Sequence, residues 1–183
     1  MNPLPSETLA RMKVVEGDIT TLDVDAIVNA ANSRLTPGGG VSGAIHRAAG
    51  PGLREECKTV GHCPTGDARI TAGHRLRARY VIHAVGPRWH GGEAGEDALL
   101  ASAYRRSLEL ARDHGLKSIA FPAISTGIYG FPPEPAAGIA VRAVAEFLHA
   151  NPLPETVLFC CFGRESADLH RRALAALAKG SGA

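Results

Sequence analysis

The feature that most restricts the fold is a switch of residue period that repeats down the chain. Short apolar runs of strand character take turns with stretches whose apolar residues recur every three to four positions, as on a helix. Predicted strands are Met12–Glu16, Ala26–Ala31, Ala68–Thr71, Tyr80–Val85, Ser118–Ile124 and Thr156–Phe162. The second, Ala-Ile-Val-Asn-Ala-Ala, is almost continuously apolar, which suits a strand covered on both faces. Predicted helices are Ser42–Ala49, Leu53–Val60, Asp97–His114, Pro135–Leu148 and Ser166–Lys179. In the third, Leu99, Leu100, Ala103, Leu108, Leu110 and Ala111 trace one stripe, and Gly115 supplies the stop. Ser166 is expected to cap the last helix and Gly180 to end it. Such alternation predicts an α/β fold with a mostly parallel sheet between helical layers.

A chain of 183 residues suits one core, so residues 11–179 are expected to form a single domain. Residues 1–10 and 180–183 are expected to be loosely ordered. The formal net charge is +2 and the Lys and Arg residues are scattered, which argues against a broad polyanion-binding surface but leaves room for a small anion in a cleft. The start of the chain lacks a signal-peptide pattern, and no run reaches the ~18–20 apolar residues of a membrane helix. A cytoplasmic protein without a membrane partner is therefore expected. Cys57, Cys63, Cys160 and Cys161 form neither a C-x-x-C pair nor a disulfide framework and read as small buried hydrophobes. Cys57, His62 and Cys63 lack an evident fourth ligand, so no metal is expected.

In an open α/β sheet, ligands settle beyond the carboxyl ends of the strands. Three unusual loops occupy such positions. Gly17-Asp18-Ile19 follows the first strand, and Asp18 is either an N-cap or a ligand acceptor. The second loop runs from Asn29 to His46 and contains Asn32, the glycines Gly38, Gly39 and Gly40, then Val41 and Ser42. Consecutive glycines before a helix let backbone amides approach an anion with the helix dipole behind them, and Asn29 and Asn32 add polar side chains. The third loop is Ser125-Thr126-Gly127-Ile128-Tyr129-Gly130-Phe131-Pro132, whose amides suit a second phosphate while Tyr129 or Phe131 covers a ring or ribose. Neither a Walker A loop nor a G-x-G-x-x-G turn after the first strand is present. Two such loops facing each other suit a diphosphate.

Together these segments resemble the macrodomain family, most closely its MacroD-type branch. The likeness runs from about Lys13 to Lys179 through GDIT (Gly17–Thr20), DAIVNAAN (Asp25–Asn32), GGGVSGAIHRAAG (Gly38–Gly50), CPTGDARIT (Cys63–Thr71), YVIHAVGP (Tyr80–Pro87) and FPAISTGIYGFP (Phe121–Pro132). It implies a three-layer α/β/α sandwich around a mixed, mostly parallel sheet. It also implies that Asp18 accepts from the adenine amino group beside the Ile19 backbone. Gly38–Val41 and Ser125–Tyr129 would grip the diphosphate from two sides. Asn32 would bond the distal ribose, with Asn29 holding that loop. Phe162 would pack on adenine, and Tyr129 and Phe131 would close over the phosphates and distal ribose. The implied ligands are ADP-ribose and mono-ADP-ribosylated proteins, with no cofactor and no metal. The implied reaction is hydrolysis of the ester joining ADP-ribose to an acidic side chain. A monomer is expected.

The chain departs from the branch at Ser42, where many of its hydrolases carry the aspartate that orients the attacking water. A serine can hold a water but is no general base near neutral pH. Three outcomes stay open. Phosphate and Ser42 together can position the water; His46, four residues on and on the same helical face, can assist; or chemistry is lost and the protein only reads ADP-ribose. The rest of the pocket motif is intact, which favours activity. The rival readings are deacetylation of O-acetyl-ADP-ribose, a non-catalytic reader, and removal of ADP-ribose from nucleic acid ends. Other conspicuous residues read as structural: His83 as a core histidine, His62, His74 and His90 as surface groups, and Trp89 as packing at the sheet edge. Arg75, Arg77 and Arg79 read as a solvated edge, and Asp23 and Asp25 as turn caps.

Overall fold

The computed structural model describes residues 4–180. The elements, in order, are α1 (Ser6–Leu9), β1 (Met12–Glu16), a 3-10 turn (Ile19–Thr21), β2 (Ala26–Ala30), α2 (Gly40–Ala49), α3 (Pro51–Val60), β3 (Ala68–Ala72), β4 (Tyr80–Ala84), α4 (Glu96–Asp113), β5 (Ser118–Phe121), α5 (Pro133–Ala150), β6 (Thr156–Cys161) and α6 (Arg164–Ala178). The six strands form one sheet in the order β1-β6-β5-β2-β4-β3. All pairings are parallel except that of β3 with β4. The result is the expected three-layer α/β/α sandwich with a mixed, mostly parallel sheet.

The near-continuous apolar strands feed two cores at once. Along β2, Ala26 and Val28 enter the core under α4 and α5, while Ile27 enters the core under α2 and α3. Ile82 and Val81 on β4, and Phe121 and Ala120 on β5, divide in the same way. A two-residue period between two covered faces therefore appears in sequence as an unbroken apolar run. Phe121 and Phe159 are fully buried with ring centroids 6.5 Å apart, and truncating either to Ala costs ~3–5 kcal/mol.

Several boundaries differ from the sequence expectations. Residues 6–9 of the expected loose N-terminus form α1, whose Thr8 is buried and which sits against α5 and α6. The same expectation for residues 1–3 and 181–183 lies outside the described residues. Gly163, not Ser166, caps α6, so Ser166 lies inside the helix. The strand β5 ends at Phe121, short of the expected Ile124, because Pro122 has no amide for the ladder. The helix α2 starts at Gly40, two residues before the expected Ser42, so the last glycine of the run opens its first turn, with Gly39 as N-cap.

Candidate functional site

Five parallel strands point their carboxyl ends to one edge of the sheet, and the loops that leave them interlock there. The Gly17 amide donates to the Cys161 carbonyl at 2.9 Å, joining the exits of β1 and β6, and the Ala31 amide donates to Ala84 at 2.9 Å, joining those of β2 and β4. A Cβ placed on Gly39 would lie 3.8 Å from Cδ1 of Ile128, which brings the second and third loops face to face. Residues Gly38 to Gly40, Gly127 and Ile128 are exposed at this gap.

The second loop is held by its own side chains. Asn32 donates through Nδ2 to the Thr36 carbonyl (3.1 Å) and hydroxyl (2.9 Å), and its Oδ1 accepts the amides of Arg34 and Thr36, each at 3.1 Å. The side chain expected to meet a ribose is thus committed to shaping the turn. Ser42 is buried, and its Oγ accepts the Gly38 amide at 3.3 Å, drawing the glycine run back onto α2. No side chain caps α2, so its first amides remain for an acceptor from outside.

Asn29 stands one residue before the end of β2, opposite His83 on β4. Its Nδ2 donates to His83 Nδ1 (3.1 Å), which leaves His83 Nε2 to donate to the Thr71 hydroxyl (2.9 Å). Burial, and then the neighbouring His46, push the His83 pKa down to about 3, so the ring is neutral. His83 is therefore the core histidine expected. His46 packs as a buried helix residue, but among the described residues neither its ring nitrogens nor the Asn29 Oδ1 have a hydrogen-bond partner. Burial, followed by the charge of Arg54, lowers the His46 pKa as well.

The third loop turns sharply at Ser125, whose φ is +70° and whose buried Oγ has no partner among the described residues. It rests on Gly86, where any Cβ would collide with Ser125 Oγ and sit 2.5 Å from Ile124 Cγ2, so only glycine fits there. Tyr104 on α4 braces the approach: its hydroxyl donates to the Pro122 carbonyl and accepts the Ile124 amide, both at 3.3 Å. Thr126 Oγ1 donates to the Ala123 carbonyl (3.0 Å), and the Phe131 amide closes the loop on the Ser125 carbonyl (2.9 Å). Tyr129 is half-buried, with the Arg88 guanidinium 5.0 Å from its ring centroid. Phe131 does not form a cover. It is 1% exposed and packs into the core with Trp89 at 4.7 Å, because the loop turns inward before Pro132.

At the other end, Asp18 Oδ1 accepts the Thr20 amide (2.9 Å) and hydroxyl (2.7 Å), so it does cap a short turn, yet the residue remains exposed. Ile19 is buried, and Phe162 is 90% exposed just past β6. Cavities of 490 and 550 Å³ lie elsewhere, beside α1 and between α4 and α5, and neither includes a residue of the three loops.

Sequence reasoning missed Glu96, a buried carboxylate that accepts three backbone amides, and Gly86. An acid at a helix start after a glycine-rich stretch was a usable signal for the first. Among the described residues no helix is long and apolar enough to cross a membrane.

The model of the Macro domain family matches residues 28–140. A macro domain-containing protein of Methanosarcina mazei is 63% identical over 164 residues, covering 90% of this chain and 88% of its own. An O-acetyl-ADP-ribose deacetylase of Enterobacter cloacae is 56% identical over 168 residues, covering 90% and 93%. Among solved structures, the macrodomain of Trypanosoma brucei in complex with ADP-ribose aligns with a TM-score of 0.87 at 41% identity, covering 95% of this chain and 74% of that one.

Proposed function

The chain belongs to the macrodomain family, and from that premise we propose that it binds ADP-ribose and hydrolyses the ester linking mono-ADP-ribose to acidic side chains of proteins. The observation that carries the reading is the facing pair of loops, Gly38–Val41 and Ser125–Tyr129, each offering backbone amides at the sheet's carboxyl edge. Two amide-bearing loops that face each other suit a diphosphate. Asp18 and the Ile19 backbone then take the adenine edge, with Phe162 against the ring. Tyr129 covers the distal half, and Phe131 supports it from within the core.

Hydrolysis adds water across the ester and releases a carboxylic acid and a ribose hydroxyl. Ser42 Oγ accepts from Gly38, and its own proton stays available to a water or a phosphate oxygen. Water placement by the phosphate and Ser42 is the route we assign, with Asn32 acting by fixing the loop from Asn32 to Thr36. Positioning of this kind can lower a barrier by several kcal/mol, up to about 7–11. His46, whose pKa is lowered by burial and whose ring nitrogens have no partner among the described residues, lies one turn beyond Ser42. O-acetyl-ADP-ribose is a second substrate by this reading. The deacetylases among the relatives favour it, and it presents a smaller ester to the same pocket.

The test is release of ADP-ribose from a glutamate-modified protein, and of acetate from O-acetyl-ADP-ribose, by the wild type beside Ser42→Ala and Ser42→Asp. Wild-type turnover is expected with at least one ester. Because Asn32 shapes the turn that leads into the glycine run, Asn32→Ala is expected to lower affinity and kcat together, and a loss of kcat alone would mean that its side chain also meets the substrate. Binding without turnover in the wild type, with activity appearing only in Ser42→Asp, would show a reader that has lost its water-positioning group.

A further inference from the structure

Glu96, the first residue of α4, is a carboxylate only 1% exposed that belongs to none of the three loops. Its Oε2 accepts the amides of His90 (2.8 Å) and Gly92 (3.0 Å), and its Oε1 accepts that of Ala94 (2.7 Å). Those amides, with His90 foremost, hold its pKa down at about 2. One side chain thereby ties a five-residue stretch into a single shape. The stretch has little shape of its own, since Gly91 and Gly92 within it and Gly95 just after it have positive φ.

The braced turn bears on Trp89. A Cβ on Gly92 would fall 2.9 Å from Cη2 of the indole, so the turn closes directly onto it. The indole in turn lies 4.7 Å from the Phe131 ring, and the Trp89 amide donates to the Tyr129 carbonyl at 2.8 Å. Arg88 stacks over Tyr129 from the same stretch. The third loop therefore rests on a support whose geometry is set by one buried acid at some remove from the ligand.

We propose that Glu96 is a positioning residue for the Ser125–Tyr129 loop, acting through the His90–Ala94 turn and Trp89 to place that loop against the distal phosphate and ribose. The proposal rests on the ADP-ribose reading above. It sets the two halves of the site apart: the adenine end at Asp18 and Phe162 does not depend on this chain of contacts, and the distal end does.

The experiment compares AMP and ADP-ribose binding by calorimetry in the wild type, Glu96→Gln and Gly92→Ala, and follows the emission of Trp89, the single tryptophan. Glu96→Gln keeps the volume but loses an acceptor and the charge; Gly92→Ala pushes on the indole directly and decides the matter should Glu96→Gln not fold. ADP-ribose is expected to change Trp89 emission in the wild type. ADP-ribose affinity is expected to fall ~10-fold in either variant while AMP affinity holds within about two-fold, because only the distal contacts shift. Equal losses for both ligands, no loss for either, or wild-type emission indifferent to ADP-ribose would overturn the proposal. A wild type that binds neither ligand would instead remove the ADP-ribose reading, and the inference with it.

Discussion

The Ser42 hydroxyl accepts the Gly38 amide at 3.3 Å, so the residue to which we assign water placement also fastens the glycine run to its helix. An N3 side chain that reaches back to an amide before the helix is a variant of the usual capping exchange. Ser42→Ala should therefore weaken ADP-ribose binding by about 1 kcal/mol, apart from any effect on turnover. Isothermal titration separates the two. Unchanged affinity would mean that the loop keeps its shape without this bond.

Asp18 has one role in the fold and a second in the proposed site, and one substitution confuses them. Asp18→Ala removes the cap on Thr20 as well as the proposed acceptor for adenine. Binding should weaken by ~1–3 kcal/mol. Asp18→Asn retains an oxygen for Thr20, so a similar loss there with unchanged thermal stability assigns the effect to the ligand. Full affinity in Asp18→Asn would count against the adenine assignment.

Phe162 is 90% exposed and contributes little to the core. Phe162→Ala should leave the melting temperature unchanged and cost ADP-ribose about 0.5–1.5 kcal/mol, the range of one aromatic stacking contact. Lost stability with intact binding would place the ring in the fold rather than the site.

Acid should destabilise the protein before its carboxylates titrate. Burial pushes His83 down to about 3, and lowers His46 and His170 too. The unfolded chain takes up these protons near pH 6.5 and the folded chain does not, so stability falls as pH drops from about 6.5 towards 3. The slope is at most about 1.4 kcal/mol per pH unit for each fully suppressed group. Below about pH 4.5, Glu96, held down by backbone amides, adds a loss of the same sign. So does Asp67: burial opposes its ionisation, but bonds from Arg69, the Ala68 amide and Arg106 outweigh that and hold it at about 2. Urea unfolding at pH 7, 6 and 5 should show the midpoint falling across this series. A flat profile would contradict a neutral His83 in the fold.

Much of the molecule was legible because its signals are local. Period and glycine punctuation placed the strands and helices, and the loops after β1, β2 and β5 stood out by composition. What escaped depended on contacts distant in sequence or on side-chain direction. Phe131 reads like a lid in sequence, and only the inward turn after Ser125 places it beside Trp89. Asn32 looks free, and only the fold of its own turn commits it to Thr36. Glu96 resembles an ordinary first-turn acid, although its carboxylate is buried under three amides. The antiparallel edge strand β3 follows from the short return through Gly73 to β4, which leaves no length for a crossover helix.

The most direct test of the two-loop cradle is titration of ADP-ribose into the wild type and into Gly39→Glu. Gly39 has ordinary extended φ and ψ, and its Cβ position clears Ile128 by 3.8 Å, so the fold should accept the new side chain. The carboxylate would stand in the gap between the loops and repel phosphate. Saturable binding by the wild type and none by a folded Gly39→Glu is the expected result. Equal binding by both would contradict the cradle.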